Sequence, residues 1–177
     1  MKYFTADPHL LHEGILNIRP FKSTDEQTEV IVKNWNTVVT SGDIVYVLGD
    51  VALPKNPKLR VSEIENILYQ LNGQKFLILG NHDLKNKALL ALYKKVFVKV
   101  VDVLYIKEQR QKIFLSHYAH RCWRASMHGS WHLFGHSHGS LLQHGKSFDV
   151  GMDLWNFTPV SFDRIKESMD LIEEIIE

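Results

Sequence analysis

The chain has 177 residues, 45% of them hydrophobic and 23% charged, with 21 Lys and Arg against 20 Asp and Glu. These values fit one globular domain over residues 1–177 and exclude disordered, collagenous and low-complexity classes; the net charge of +1 argues against a protein that tracks along nucleic acid. Ten His against a single Cys leave nitrogen and oxygen as the metal donors and rule out a disulfide or thiolate cage.

Strand and helix signals alternate along the chain. A short apolar run, Tyr3 to Ala6, reads as a strand, and Thr24-Asp25-Glu26-Gln27 opens a helix with a capping-box pattern followed by Ile31, Trp35 and Val38 at helical spacing. Ile44 to Leu48 is a second strand. Val61, Ile64, Leu68 and Leu71 predict a second helix that stops at Asn72-Gly73. Phe76 to Leu79 is a third strand, and Leu84 to Tyr93 is compatible with helix. From Val96 the pattern turns to short strands: Val96 to Val101, Val103 to Ile106, Ile113 to Leu115, Trp131 to Phe134 and Phe148 to Val150. The last segment, Ser161 to Ile176, puts Ile165, Met169, Ile172 and Ile176 on one helical stripe and Glu167, Glu173 and Glu174 away from it, which predicts a helix docked on the body. There is no secretory leader pattern and no window of roughly 18 apolar residues, so a cytoplasmic protein with Cys122 as a free thiol is expected.

Five of the predicted strands end in polar punctuation: Asp7-Pro8-His9, Gly49-Asp50, Gly80-Asn81-His82-Asp83, Ser116-His117 and Gly135-His136-Ser137-His138. Each alone is an ordinary turn. In an open α/β sheet, however, the carboxyl ends of strands converge on one edge where ligands bind, so five such ends would gather Asp, Asn and His in one crevice. Carboxylates, imidazoles and an amide without a thiolate suit Mn, Fe, Zn, Co or Ni in an open catalytic site. The donors outnumber what one four-coordinate ion needs. Two metals about 3.5–4 Å apart, sharing a carboxylate, would clamp a displacement at phosphorus.

The ordered set Asp-x-His, Gly-Asp, Gly-Asn-His-Asp, His, Gly-His-x-His resembles the calcineurin-like metallophosphoesterase family, in particular its compact bacterial and phage members, and the stretch Asp149 to Trp155 resembles their tail. The resemblance implies a four-layer α/β/β/α sandwich of two mixed β-sheets flanked by helices. It assigns one metal to Asp7, His9, Asp50 and His138 and a second to Asp50, Asn81, His117 and His136, with Asp50 bridging. It makes His82 the residue that assists the leaving oxygen, with Asp83 accepting a hydrogen bond from it and holding it in place. Asp149 departs from the Asn expected there.

Around this set, His12 is a candidate for substrate contact or for support of a ligand, and Arg19 is expected to cap or pair locally. The loop from His120 to His128 is expected to overhang the crevice, where Arg121, Arg124 and His128 would bind substrate. Trp123 would anchor that loop, His132 would be structural, and His144 would sit in a surface turn. Together the expectation is a hydrolase in which a hydroxide between two divalent ions, Mn the first choice, attacks a phosphoester. Diesters are preferred, because the His82–Asp83 pair offers acid assistance and no cap domain restricts the cleft. A phosphomonoesterase or nucleotidase, a small nuclease, and a non-catalytic metal-stabilised scaffold are the alternatives. The partner expected is a phosphoester, a nucleotide among the options, with neither a membrane nor an extensive nucleic-acid surface; the sequence does not set the oligomeric state.

Overall fold

The computed structural model describes residues 1–172; Glu173, Glu174 and Ile176 of the expected C-terminal helix lie outside the described residues. Two mixed sheets with flanking helices make up the α/β architecture expected. The first sheet contains β1 (Lys2–Thr5), β2 (Ile44–Val47), β3 (Gln74–Ile78), β4 (Lys99–Val101) and β9 (Val160–Ser161), in the order β4-β3-β2-β1-β9. Its first four strands run parallel and β9 pairs antiparallel to β1. The second sheet, β5-β6-β7-β8, is built from Val103–Glu108, Gln111–Ser116, Trp131–Phe134 and Ser147–Asp149; β5 and β6 are antiparallel and the rest parallel.

The period of two along the strands divides the core. Tyr3, Val45, Val47 and Leu77 face the cluster formed with α1 (Thr24–Val38), α2 (Pro57–Gln70) and α3 (Lys87–Val96), whereas Phe4, Tyr46, Leu48 and Ile78 face Ile113, Leu115, Trp131 and Leu133 of the second sheet. Both faces of the parallel strands are therefore apolar, which is why they read as continuous hydrophobic runs. The fourth helix, α4 (Phe162–Asp170), buries Ile165 and Met169 in the cluster between the sheets, with the Phe162 ring stacked 5.6 Å from Trp131. No described helix is long and apolar enough to cross a membrane.

Three local details differ from expectation. The N-cap of α1 is Ser23, not Thr24: its hydroxyl accepts from the Glu26 amide, and Glu26 accepts from the Lys22 amide in return, so the carboxylate three residues on decides the register. Val96 ends α3 rather than starting a strand: the helix, capped by Asn86 through the amides of Ala88 and Leu89, runs three residues past Tyr93. The two-residue β9 has too little sequence to show a period.

At the carboxyl edge the two sheets are stitched together. Ala6 bridges to Gly151, the Met152 amide donates to the Ala6 carbonyl at 3.0 Å, and the His136 amide donates to Asp7 Oδ2, while within the second sheet the Gly135 amide donates to the carbonyl of His117 at 3.0 Å. The segments following β1, β2, β3, β6, β7 and β8 thus meet along one seam.

Candidate metal centre

The seam carries the histidines and carboxylates. Asp7 follows β1, Asp50 follows β2, Asn81 and His82 follow β3, His117 follows β6, and His136 and His138 follow β7. Asp7, His9, Asp50, His136 and His138 hold left-handed backbone conformations with φ between 47° and 66°. Such φ values are uncommon outside glycine and persist where surrounding structure imposes them. Here the Asp7 amide donates to the Gly49 carbonyl, the His9 amide to the Asp50 carbonyl, and the His136 amide to Asp7 Oδ2 at 2.7 Å. Glycine is required where segments cross: a Cβ on Gly135 would sit against the Ala6 side chain and 2.7 Å from Asp7 Oδ2, and one on Gly80 would lie 2.6 Å from the Asp50 amide nitrogen.

Donor atoms gather in three overlapping groups, each within 4.8 Å: Asp7, His9 and His138; His9, Asp50 and His82; Asp50, His117 and His136. Asp50 Oδ2 lies 3.8 Å from His9 Nε2 and 3.6 Å from His117 Nε2, so one carboxylate oxygen is close to members of two of these groups. The donor set fits divalent cations. Asp7 Oδ1 and His9 Nε2 are buried without a hydrogen-bond partner and face one another at 4.0 Å. His117 donates from Nδ1 to the Leu48 carbonyl at 2.7 Å, which leaves a lone pair on Nε2, 3.1 Å from the carbonyl oxygen of the Asn81 side chain. Two facing lone pairs, like an orphaned carboxylate oxygen beside an orphaned imidazole, are satisfied by a shared cation.

Burial pushes the Asp7 carboxyl well above the usual carboxylate range, and burial together with Arg19 and the neighbouring histidines pushes His9 down to about 2. His117 is also lowered, chiefly by burial. Neutral imidazoles are the ligand state a cation requires, and Asp7 would bind one by giving up the proton that burial favours. His138 donates from Nδ1 to Asp153 Oδ2 at 2.7 Å, and His12 shares a 3.2 Å Nδ1–Nδ1 hydrogen bond with His9. Both contacts leave the opposite nitrogen of the ligand ring free. His12 therefore supports His9.

His82 and Asp83 do not form the expected pair. Asp83 is fully buried, and its two oxygens accept from the backbone amides of Asp50, Gly80 and Val51 at 2.8–3.0 Å, which consumes the carboxylate in fixing the Asp50 and Gly80 turns. The His82 amide donates to Asp50 Oδ1, and its ring accepts from Lys85 Nζ at Nδ1 instead, at 3.2 Å. That donation places the ring proton on Nε2, 3.7 Å from Asp50 Oδ2.

The loop bearing Arg121, Arg124 and His128 also departs from expectation. Trp123 is buried, packs 5.2 Å from the His132 ring and donates from its indole to the Ser130 carbonyl, so the loop lies on the outer face of the second sheet rather than over the crevice. Arg124 stands 4.5 Å above the Tyr105 ring of β5, His128 is exposed in a short 3-10 turn, and Arg121 lines a groove of about 370 Å³ with Phe134, Leu141 and Leu142. The side chain next to the cluster is instead Tyr118, half exposed, its ring 4.6 Å from that of His136. His132 is structural, bonded through both ring nitrogens to Ser116 and Ser147. His144 is exposed beside β8. Asp149 accepts from Ser137 Oγ and from the amides of Gly139 and Gly151, which shapes the loop carrying His136 and His138. Arg19 does not pair locally: it reaches Asp153, 134 positions away. Asp153 itself lay unassigned in the tail resemblance; its spacing from His138 carries no local signal.

The family model for calcineurin-like phosphoesterases matches residues 3–158. An uncharacterized protein of Methanocaldococcus jannaschii is 31% identical over 172 residues, spanning 92% of this chain and 88% of its own. The gene 66 protein of Mycobacterium phage L5 is 28% identical over 200 residues, spanning 97% and 95%. A protein of unknown function from Aquifex aeolicus superposes with a TM-score of 0.73 at 26% identity, covering 95% of this chain and 98% of that one. With the matched span containing every residue of the cluster, the chain belongs to the calcineurin-like phosphoesterase family.

Proposed function

We propose that this phosphoesterase works with two divalent metals and prefers phosphodiesters. The observation that carries the reading is the position of Asp50, whose Oδ2 lies 3.8 Å from His9 Nε2 and 3.6 Å from His117 Nε2, within reach of residues proposed for each of the two ions. Asp7, His9, Asp50 and His138 would hold one ion, and Asp50, Asn81, His117 and His136 the other. When bound, the two cations supply Lewis acidity toward phosphoryl oxygens and lower the pKa of water. Mn is the first choice for activity among Mn, Fe, Zn, Co and Ni, since the donors are imidazole, carboxylate and amide.

The chain's own residues supply the rest. Lys85 holds His82 by Nδ1, so the Nε2 proton faces the cluster; as that proton passes to a departing alkoxide, Lys85 Nζ would give one to Nδ1, so the ring stays a neutral imidazole. Charge supports a diester. Two divalent ions, if held by the two carboxylates Asp7 and Asp50, would leave a small positive charge even after water had lost a proton, which a phosphodiester monoanion would balance. His82 is partly open to solvent and His136 exposed, so one face of the cluster admits a substrate with groups on both sides of phosphorus. The near-neutral chain favours a short or small diester over duplex nucleic acid, and the exposed free thiol of Cys122 suits a reducing compartment such as the cytoplasm.

Hydrolysis of bis-p-nitrophenyl phosphate against p-nitrophenyl phosphate, with Mn added, tests this. Faster turnover of the diester is expected; a large excess of monoester turnover would contradict it.

A further inference from the structure

We propose that Arg19 is a positioning residue that assembles one of the two metal positions, joining the ligands after β1 to His138 through Asp153. This inference rests on the two-metal reading above and assigns the support of one ion specifically. The Arg19 side chain is fully buried, and its guanidinium grips Asp153 in a fork, Nε to Oδ1 and Nη2 to Oδ2, both at 2.7 Å. Oδ2 of the same carboxylate accepts the Nδ1 proton of His138 at 2.7 Å. The ring is thereby fixed in the tautomer that leaves Nε2 bare toward Asp7 and His9.

The other nitrogens of Arg19 work on the opposite ligands. Nη2 also donates to the carbonyl of Asp7 at 2.8 Å, and Nη1 donates to the carbonyl of Pro8 at 3.1 Å and to Gln27 Oε1 at 3.2 Å. Gln27, fully buried on α1, donates from Nε2 to the carbonyl of His9 at 3.1 Å. Three successive carbonyls are thus held by two buried side chains across a turn in which Asp7 and His9 are left-handed. A guanidinium suits this task because its planar fork meets a carboxylate bidentately while further N–H groups remain for carbonyls, a combination the single ammonium of lysine lacks.

Among the described residues, neither Arg19 nor Asp153 makes a hydrogen bond to Asp50, Asn81, His117 or His136 at the other metal position. There His117 is oriented by the Leu48 carbonyl, and the Asp50 turn by Asp83. Loss of the Arg19–Asp153 fork should therefore weaken one metal and spare the other, which a general loss of folding would not do.

The test is titration of the metal-free full chain with Mn²⁺ by calorimetry, for the wild type, Asp153→Asn and Arg19→Lys. The expected result is two equivalents in the wild type; in each variant one equivalent keeps its affinity while the other is held about 10–100-fold more weakly. Equal weakening of both equivalents, or no change in either, would overturn the proposal. A second measurement is independent of metal: ¹⁵N–¹H spectra of the imidazoles in the metal-free protein should show His138 protonated at Nδ1 in the wild type and redistributed in Asp153→Asn, with His117 unchanged. An unshifted His138 would equally overturn it. A wild type that takes up fewer than two equivalents would instead sink the two-metal reading, and the spectra would still decide the role of Arg19 and Asp153.

Discussion

Replacing His82 with alanine separates proton donation from metal binding. The His82 ring contributes one nitrogen to Lys85 at 3.2 Å and the other toward Asp50 Oδ2 at 3.7 Å, and it remains 21% exposed. Little apolar area is lost on truncation, so the stability change should stay within about 1 kcal/mol, or roughly 2–4 °C in Tm. The proposed ligands Asp7, His9, Asp50, Asn81, His117, His136 and His138 are untouched, and both metals should be retained. A well-placed general acid contributes about 10²–10⁴-fold, equivalent to about 3–5 kcal/mol of barrier. The loss should depend on the leaving group. An alkyl phosphodiester, whose alkoxide needs the proton, should lose the full factor, and a nitrophenyl diester, whose phenolate leaves unaided, much less. Steady-state kinetics on both esters with metal analysis of the same preparations gives the answer. Equal losses on both, or turnover unchanged on both, would refute the assignment of His82 as the acid.

Further outcomes follow from the same geometry. Gly135→Ala places a methyl group against Ala6 and Asp7 and should cost about 1–3 kcal/mol while loosening the turn before His136 and His138; a thermal melt with metal analysis showing neither change would contradict the close-approach argument. Asp83→Ala leaves three buried amides without an acceptor and should destabilise by about 2–4 kcal/mol in chemical denaturation, yet the ratio of rates for good and poor leaving groups should stay constant, since Asp83 does not touch the His82 ring. His132 is pushed down to about 3 by burial and then by His120. An imidazole with a folded pKa below its unfolded value binds its proton more readily when unfolded, so its contribution is complete above pH ~6.5 and falls by about 1.4 kcal/mol per unit below that. Denaturation at pH ~7.5 and ~5 should show an acid-induced loss about 2 kcal/mol smaller in His132→Gln than in the wild type, and equal losses would remove His132 as the cause.

The cluster was legible because each member follows the end of a strand, so chain order and the carboxyl-edge rule suffice to bring Asp7, Asp50, Asn81, His117 and His136 together. What supports them was not legible. Arg19 and Asp153 meet across 134 positions, and whether a carboxylate such as Asp83 turns toward an imidazole or toward amides depends on backbone turns that no side-chain spacing encodes. Arg121 and Arg124 were misplaced for a related reason. Their loop lies between two of the motifs in sequence, but Trp123 is buried against His132, whose ring packs with Phe114 and Phe134 on the outer face, and the loop follows its tryptophan. The alternation of Tyr3 and Phe4 to opposite faces was hidden because both faces are buried, so the strand reads as a continuous apolar run instead of a pattern.

The central claim is that Asp50 joins two metal positions that together hydrolyse phosphodiesters. It is tested most directly by counting divalent metal bound per chain in the wild type and in Asp50→Asn, alongside hydrolysis of bis-p-nitrophenyl phosphate by the same samples. Two equivalents and diester turnover in the wild type, with both metals weakened and turnover lost in the variant, are the expected results. A wild type that turns over the diester with a single equivalent, or an Asp50→Asn variant that keeps two metals and full activity, would contradict the account.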